Sequence, residues 1–267
     1  MKRRDFFKFS GFLGASSVLS VATADEIKAQ KERVFSLSFK HKLLEKGKIN
    51  RLWVPLVTNN DYQQTISNYE VITNANEHFI SDLKNPTLYA SFSDENPSLE
   101  LNFKVKTTER NTDFSKVNFN ENEKLIPEIE FYLKPTALIP NDGIVKEFAD
   151  KIVGKTKGDL EKARAIYTWV ANTMQRDNSV IGCGRGDVRA ILQSGKLVGK
   201  CTDINSVFVG LCRAVNIPAR EFFGIRVGQS RFSNEMGKAD ANGVAKISGG
   251  QHCRAEFYLK RLRLGAG

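Results

Sequence analysis

The hydrophobic period changes once along this chain, and that change limits the possible folds more than any other feature. From residue 32 to 134 apolar side chains recur at every second position. Phe35, Leu37 and Phe39 alternate with Ser36, Ser38 and Lys40, and Leu99, Leu101, Phe103 and Val105 alternate with Glu100, Asn102, Lys104 and Lys106. Successive side chains of a strand point to opposite faces, so the pattern predicts strands with one buried face. Shorter β-like runs at 52–56, 69–73, 87–92 and 129–133, separated by Asn, Asp and Pro, complete a small β-sandwich or half-barrel. Pro135, Pro140 and Asn141-Asp142-Gly143 then form a breaker-rich hinge. Beyond it the period becomes helical: Leu160, Ala163, Ile166, Tyr167, Val170, Ala171 and Met174 share one face, with Thr156 or Asp159 available as N-cap. A second helix follows Cys201, with Ile204, Val207, Phe208, Leu211 and Val215 on its apolar face and Asn216-Ile217-Pro218 to stop it. Strand-like runs at 220–227 and 253–259 flank a polar, Gly-rich stretch, 228–250, read as a long surface loop.

A chain of 267 residues with 41% hydrophobic and 26% charged residues has the make-up of a globular protein. It contains no run of the ~18 apolar residues that a membrane helix requires. The formal charge is +10, from 40 Lys+Arg against 30 Asp+Glu, which raises the question of nucleic acid. The charge is concentrated at the ends. Residues 1–24 read as a signal peptide: a basic start (Lys2, Arg3, Arg4), a modest apolar stretch over 9–22, and Ala22-Thr23-Ala24 as a small-residue cleavage site. Arg3-Arg4-Asp5-Phe6-Phe7-Lys8 resembles the twin-arginine export signal, with an ordinary secretory signal as the alternative. Both place the mature protein outside the cytoplasm, in the periplasm or beyond, with a membrane involved only through the export signal. Setting that segment aside (four positive charges, one negative) leaves +7, and setting aside Lys260, Arg261 and Arg263 near the end leaves +4. No basic patch interleaved with aromatics remains to bind nucleic acid.

The chemistry-bearing residues lie after the hinge. Gly199-Lys200-Cys201-Thr202-Asp203 opens the second helix, and His252 opens the last strand. A cysteine at a helix N-terminus meets unpaired backbone N–H groups and the positive end of the dipole, which favour its thiolate. Cys201 is therefore a candidate nucleophile, and His252 a candidate general base and acid. Asp203 reads as a first-turn acid serving the helix dipole. Trp169 and Gln193 are candidates for oxyanion or supporting roles, with core packing as the alternative for Trp169. Cys183, Cys212 and Cys253 remain. A disulfide among them leaves one over, and Cys212 falls near the helix's apolar face, where a buried thiol is expected. A zinc site from Cys183, Cys201, Cys253 and His252 lacks paired C-x-x-C spacing, so no metal and no cofactor are expected.

In order, the Trp169 helix, Gly199-Lys200-Cys201-Thr202-Asp203, Leu211-Cys212-Arg213-Ala214-Val215-Asn216-Ile217-Pro218-Ala219-Arg220 and His252-Cys253-Arg254-Ala255-Glu256-Phe257 resemble the core of the transglutaminase-like superfamily. The resemblance covers roughly residues 145–259. It implies a papain-like α+β fold with a Cys-His-Asp triad for acyl transfer from an amide or its hydrolysis, Cys201 as nucleophile and His252 as base. It also implies a protein or peptide substrate, here one in the cell envelope. Calcium, used by some animal relatives, has no acidic loop cluster here to bind it.

The third triad member is missing from the sequence as written. The residues after His252 contain no Asp or Asn, and Glu256 stands ~13 Å further along the same strand, too far to orient that ring. The tail 260–267 resembles neither strand nor cap. It can be encoded so that deleting one base in an adenine run gives Lys-Gly-Tyr-Gly-Trp-Val-Pro-Val-Asp, the phrase the family places after its histidine strand. The tail is therefore read as frameshifted and the catalytic domain as C-terminally truncated. The expectations are an α+β protein with a signal peptide at 1–24, a β-sandwich-like domain at 32–134, a transglutaminase-like domain at 145–259 and an aberrant tail. The alternative function is a non-catalytic envelope binding or scaffold protein, because the triad Asp is absent.

Overall fold

A computed structural model describes residues 32–43, 49–60, 62–81, 85–93, 96–109, 114, 124–229 and 238–260. The signal-peptide reading of 1–24, residues 261–267 of the tail and part of the 228–250 loop lie outside the described residues. The chain divides into two units, with the boundary at residues 113 and 114.

The first unit contains seven strands: β1 (Glu32–Lys42), β2 (Asn50–Pro55), β3 (Gln63–Thr65), β4 (Glu70–Thr73), β5 (Glu77–Ile80), β6 (Thr87–Phe92) and β7 (Ser98–Thr108). One sheet is organised on β7, which pairs antiparallel with β1 along its whole length and with β3 and β4 on its other edge. The second sheet runs β2-β6-β5, also antiparallel. The two-residue period supplies the core: Leu88, Ala90 and Phe92 of β6 and Leu99, Leu101, Phe103 and Val105 of β7 are buried together with Val54 and Leu56. This is the packing of a β-sandwich. On the other face of the second sheet the register aligns Trp53, Tyr89 and Phe79, with ring centroids 5.4 and 5.1 Å apart, as a cross-strand aromatic row.

The second unit begins with a helical turn at Pro127–Glu130 running into a 3-10 turn at Phe131–Leu133. A strand was expected over 129–133. Pro127 at the first helical position, with its φ preset for a helix, decides a run too short for periodicity to arbitrate. Four helices follow: α1 (Gly143–Val153), α2 (Asp159–Thr173), α3 (Val188–Gln193) and α4 (Cys201–Ala214). The breaker cluster at 140–143 that reads as a hinge is the start of α1, with Asp142 at its N-cap. Two-residue strands β8 (Gln175–Arg176) and β9 (Val198–Gly199) pair in parallel and lead the chain into α4. A hairpin-like pair, β10 (Ala219–Ile225) and β11 (Gln251–Phe257), packs on that helix.

Helix α4 is central. A single apolar stripe predicts a surface helix, yet from Thr202 to Ala214 every residue except Asn205 is buried. The small side chains Gly210, Cys212 and Ala214 allow this by letting neighbours approach on the faces the stripe does not cover. A Cβ at Gly210 would stand 3.3 Å from the Pro140 carbonyl oxygen and 3.4 Å from Ile139 and Val188 side-chain atoms. The helix ends as its sequence predicts. Asn216 takes a left-handed φ of 63°, and the Ile217 N–H donates back to Cys212 O at 2.9 Å. Among the described residues no helix is long and apolar enough to cross a membrane.

Leu101 is fully buried on the central strand of its sheet. Leu101→Ala is expected to lower the unfolding free energy by ~2–5 kcal/mol, the range for a large-to-small change that leaves a cavity. A denaturant titration that follows sandwich fluorescence measures it.

Candidate active site

Six of the first turns' residues on α4, Cys201-Thr202-Asp203-Ile204-Asn205-Ser206, include five polar or thiol side chains in a helix otherwise made for a core. Each has a specific partner. Asp203, only 6% exposed, takes three backbone N–H donors on its carboxylate: Lys200 at 2.8 Å, Arg185 at 3.0 Å and Gly186 at 2.9 Å. It thereby caps the helix start and fastens the preceding loop over it. Gly184 and Gly199 make room for that carboxylate. A Cβ on Gly184, whose φ is +96°, would lie 2.1 Å from an Asp203 oxygen, and one on Gly199 would lie 2.5 Å away. Thr202 N–H, another first-turn donor, is satisfied by Cys183 O at 3.0 Å. Asn205 Nδ2 donates to the carbonyls of Cys201 at 2.8 Å and Cys253 at 3.2 Å, tying the helix start to β11.

This fastening brings three cysteines together. The sulfur atoms of Cys183, Cys201 and Cys253 all lie within 4.8 Å of one another. Cys253 Sγ donates to Cys201 Sγ at 3.2 Å, and Thr202 Oγ1 lies 3.4 Å from Cys253 Sγ. All four cysteines of the chain are free thiols. Their acidities differ sharply. Burial opposes ionisation of Cys201, but hydrogen bonds from the Cys253 and Cys183 thiols, together with backbone groups of Thr202 and Cys253, outweigh it and hold this thiol below the ordinary range. Burial pushes Cys253 up to about 12 and also raises Cys183, and burial in the core raises Cys212 furthest. Of the three adjoining thiols Cys201 is thus the most readily ionised; its sulfur accepts from Cys253 Sγ and lies 3.8 Å from the Cys183 carbonyl oxygen.

The sequence-derived candidates separate. Cys201 is the first residue of α4, as expected. His252 stands on β11 and is exposed; its neighbour Cys253 is buried, with its sulfur against Cys201. Strand alternation explains this: Cys253, Ala255 and Phe257 take the face toward α4 and the core, and His252, Arg254 and Glu256 take the other. Trp169 lies on α2 with its ring edge-on to Phe148 at 5.7 Å, and lines an open groove of about 650 Å³ with Lys151, Arg164 and Thr168. Gln193 is exposed at the end of α3. Neither residue is among the groups hydrogen-bonded to the Cys201 sulfur.

The sequence reading did not pick out Glu221 and Ser206. Ser206 Oγ donates to Glu221 Oε1 at 2.7 Å, and burial raises the Glu221 carboxyl, partly offset by that hydrogen bond and by Arg213. Arg213 is itself buried and donates to the carbonyls of Ala219 at 2.9 Å and Lys134 at 3.0 Å. The available signal was the i, i+4 spacing of Thr202 and Ser206 on one face of a core helix.

Comparison with known proteins places this geometry. Residues 146–263 match the sequence model of the transglutaminase-like superfamily. A protein of Haemophilus influenzae, described as uncharacterized, is 44% identical over 221 residues; the match takes in 78% of this chain and 60% of that protein. This chain thus spans three fifths of that relative's length. A crystal structure of a candidate cysteine protease from Cytophaga hutchinsonii aligns with a TM-score of 0.62 at 18% identity, covering 87% of this chain and 74% of that one. The periplasmic domain of TgpA from Pseudomonas aeruginosa aligns at a TM-score of 0.46 and 13% identity, covering 89% and 70%. The fold is thus a strand-rich N-terminal unit followed by a transglutaminase-like domain that resembles papain-like cysteine protease folds.

Asp203→Asn keeps the shape but replaces one acceptor oxygen with a donor. It is expected to cost ~1–3 kcal/mol of stability, the penalty for leaving buried donors unpaired, and to loosen the loop that carries Cys183. Thermal unfolding, with hydrogen exchange at the Arg185 and Gly186 amides, measures both effects.

Proposed function

We propose that this chain is an exported thiol-dependent enzyme of the transglutaminase-like type, acting at amide or peptide carbonyls through a thioester on Cys201. The observation that carries the reading is the place of Cys201: first residue of a buried helix, partly exposed, its sulfur accepting from Cys253, and the most acidic of three adjoining thiols. The thiolate attacks the carbonyl carbon, and the C–N bond breaks as the leaving amine takes a proton. Water or a second amine then cleaves the thioester and regenerates the thiol. His252 is the proposed acid and base. Its support is its place one residue before Cys253, whose sulfur touches the nucleophile, and its solvent-facing position, where a substrate arrives. Catalytic hydrogen bonds of this kind often tighten only when substrate is bound. The proposed substrate is a protein or peptide of the cell envelope, reached through the twin-arginine-type signal.

Two measurements test this. Alkylation of Cys201 by iodoacetamide is expected to be the fastest of the four thiols at pH 7. Because the Cys201 pKa is held below that of an ordinary cysteine, its thiolate persists to lower pH, and the rate rises with pH and levels off earlier than for an ordinary cysteine. Cys253→Ala removes a donor to the thiolate, raises that pKa and slows alkylation at pH 7. Amine incorporation into a glutamine-containing protein, or release of ammonia or peptide, should vanish in Cys201→Ser. Equal reactivity of all four thiols would sink the enzyme reading in favour of a binding or scaffold role.

Export is tested separately. Replacing Arg3 and Arg4 together by Lys is expected to retain the unprocessed chain in the cytoplasm, as fractionation and immunoblotting would show. Unchanged export would assign the segment to the general secretory route.

A further inference from the structure

We propose that Cys183, Cys201 and Cys253 form a three-thiolate site for a soft d10 cation, with monovalent copper as the type ion. The site is separate from acyl transfer in its chemistry, although it uses the same nucleophile. Three structural elements supply the ligands independently: the glycine-rich loop before α3, the first residue of α4 and the inward face of β11. Three sulfurs at ~2.3 Å from a central ion in a trigonal plane stand ~4 Å apart. Here the Cys201–Cys253 pair stands at 3.2 Å and all three sulfurs lie within 4.8 Å of one another, which brackets that spacing.

The donor set selects the ion. Among the described residues no His, Asp, Glu or fourth Cys joins the three sulfurs, so the closed four-coordinate site that structural zinc requires is not built. All-thiolate ligation favours soft ions, and three ligands suit monovalent copper. Binding forms three Cu–S bonds and releases one proton from each sulfur still protonated, two when Cys201 is already the thiolate, leaving a CuS₃ unit of charge −2. The N-terminal end of α4 and the Lys200 ammonium, which acts on Cys183, supply the opposing positive field. Cys183 and Cys201 are partly exposed, giving the ion a way in, while Cys253 and the fastened loop hold the far side. A bound ion occupies Cys201, so the same residues that activate the nucleophile also give a soft metal the means to silence it.

The test uses the full chain, reduced and kept under nitrogen, titrated with Cu(I) in competition with bathocuproine disulfonate. One Cu(I) per chain is expected, and X-ray absorption on the wild-type protein should show three sulfur neighbours, a readout that needs no variant to fold. Cys183→Ala and Cys253→Ala should each weaken binding by more than ~100-fold, above the ~10–100-fold that outer-shell changes produce, whereas Cys212→Ala, in the core, should not. Two sulfur neighbours, or Cys183→Ala binding as tightly as wild type, would overturn the proposal. Failure to bind copper with a reactive Cys201 refutes only this site. Tight copper binding with Cys201 no more reactive than the other thiols refutes only the acyl-transfer reading.

Discussion

The carboxylate of Asp203 sits 6% exposed in the first turn of α4, and three backbone N–H groups converge on it from Lys200, Arg185 and Gly186. A buried carboxylate is costly unless its lone pairs are satisfied, so this group can exist only with the loop wrapped around it. The loop in turn can wrap only where glycines leave space, as Gly184 and Gly199 do. That mutual requirement fixes Cys183 beside the helix start, and with Asn205 holding β11 from the other side, it determines where the three sulfurs meet.

From this constraint the acidity order of the thiols follows. In a partly buried cluster every thiolate is penalised by desolvation, and the sulfur with the most donors is the most acidic. Cys201 alone has backbone and thiol donors directed to it, while Cys253 is more buried and Cys183 interacts with a neighbour that is already the better anion. The polar seam continues down α4 through Ser206 and Glu221 to Arg213, so one helix carries both the hydrophobic core of its unit and a satisfied line of polar groups facing β10 and β11.

Much of this was readable from pattern. Period two over β1 and β7 gave the right buried faces, because a strand's alternation is a local property that tertiary packing rarely reverses. The long α2 and α4 and the Asn216 stop were likewise local. What failed was short or ambiguous: 129–133, where Pro127 starts a helical turn, and α1, hidden behind turn-forming residues that serve as its N-terminus. The degree of burial of α4 was also underestimated, since a stripe of large apolar residues does not report that the remaining small ones are covered.

The order of residues alone determined the class of fold, the helix that opens on Cys201 and the family that the combined motifs resemble, because these depend on neighbours within a few positions. The tertiary structure decided which face of β11 packs on α4: it buries Cys253 against the nucleophile's sulfur and leaves His252 exposed. Adjacent residues of a strand face opposite ways, and the inward face is set by which side packs on α4, a contact between segments some fifty residues apart. The same packing gathered Cys183 and Cys253, which spacing had left unassigned, beside Cys201, since no short-range spacing encodes a site built from a loop, a helix end and a strand.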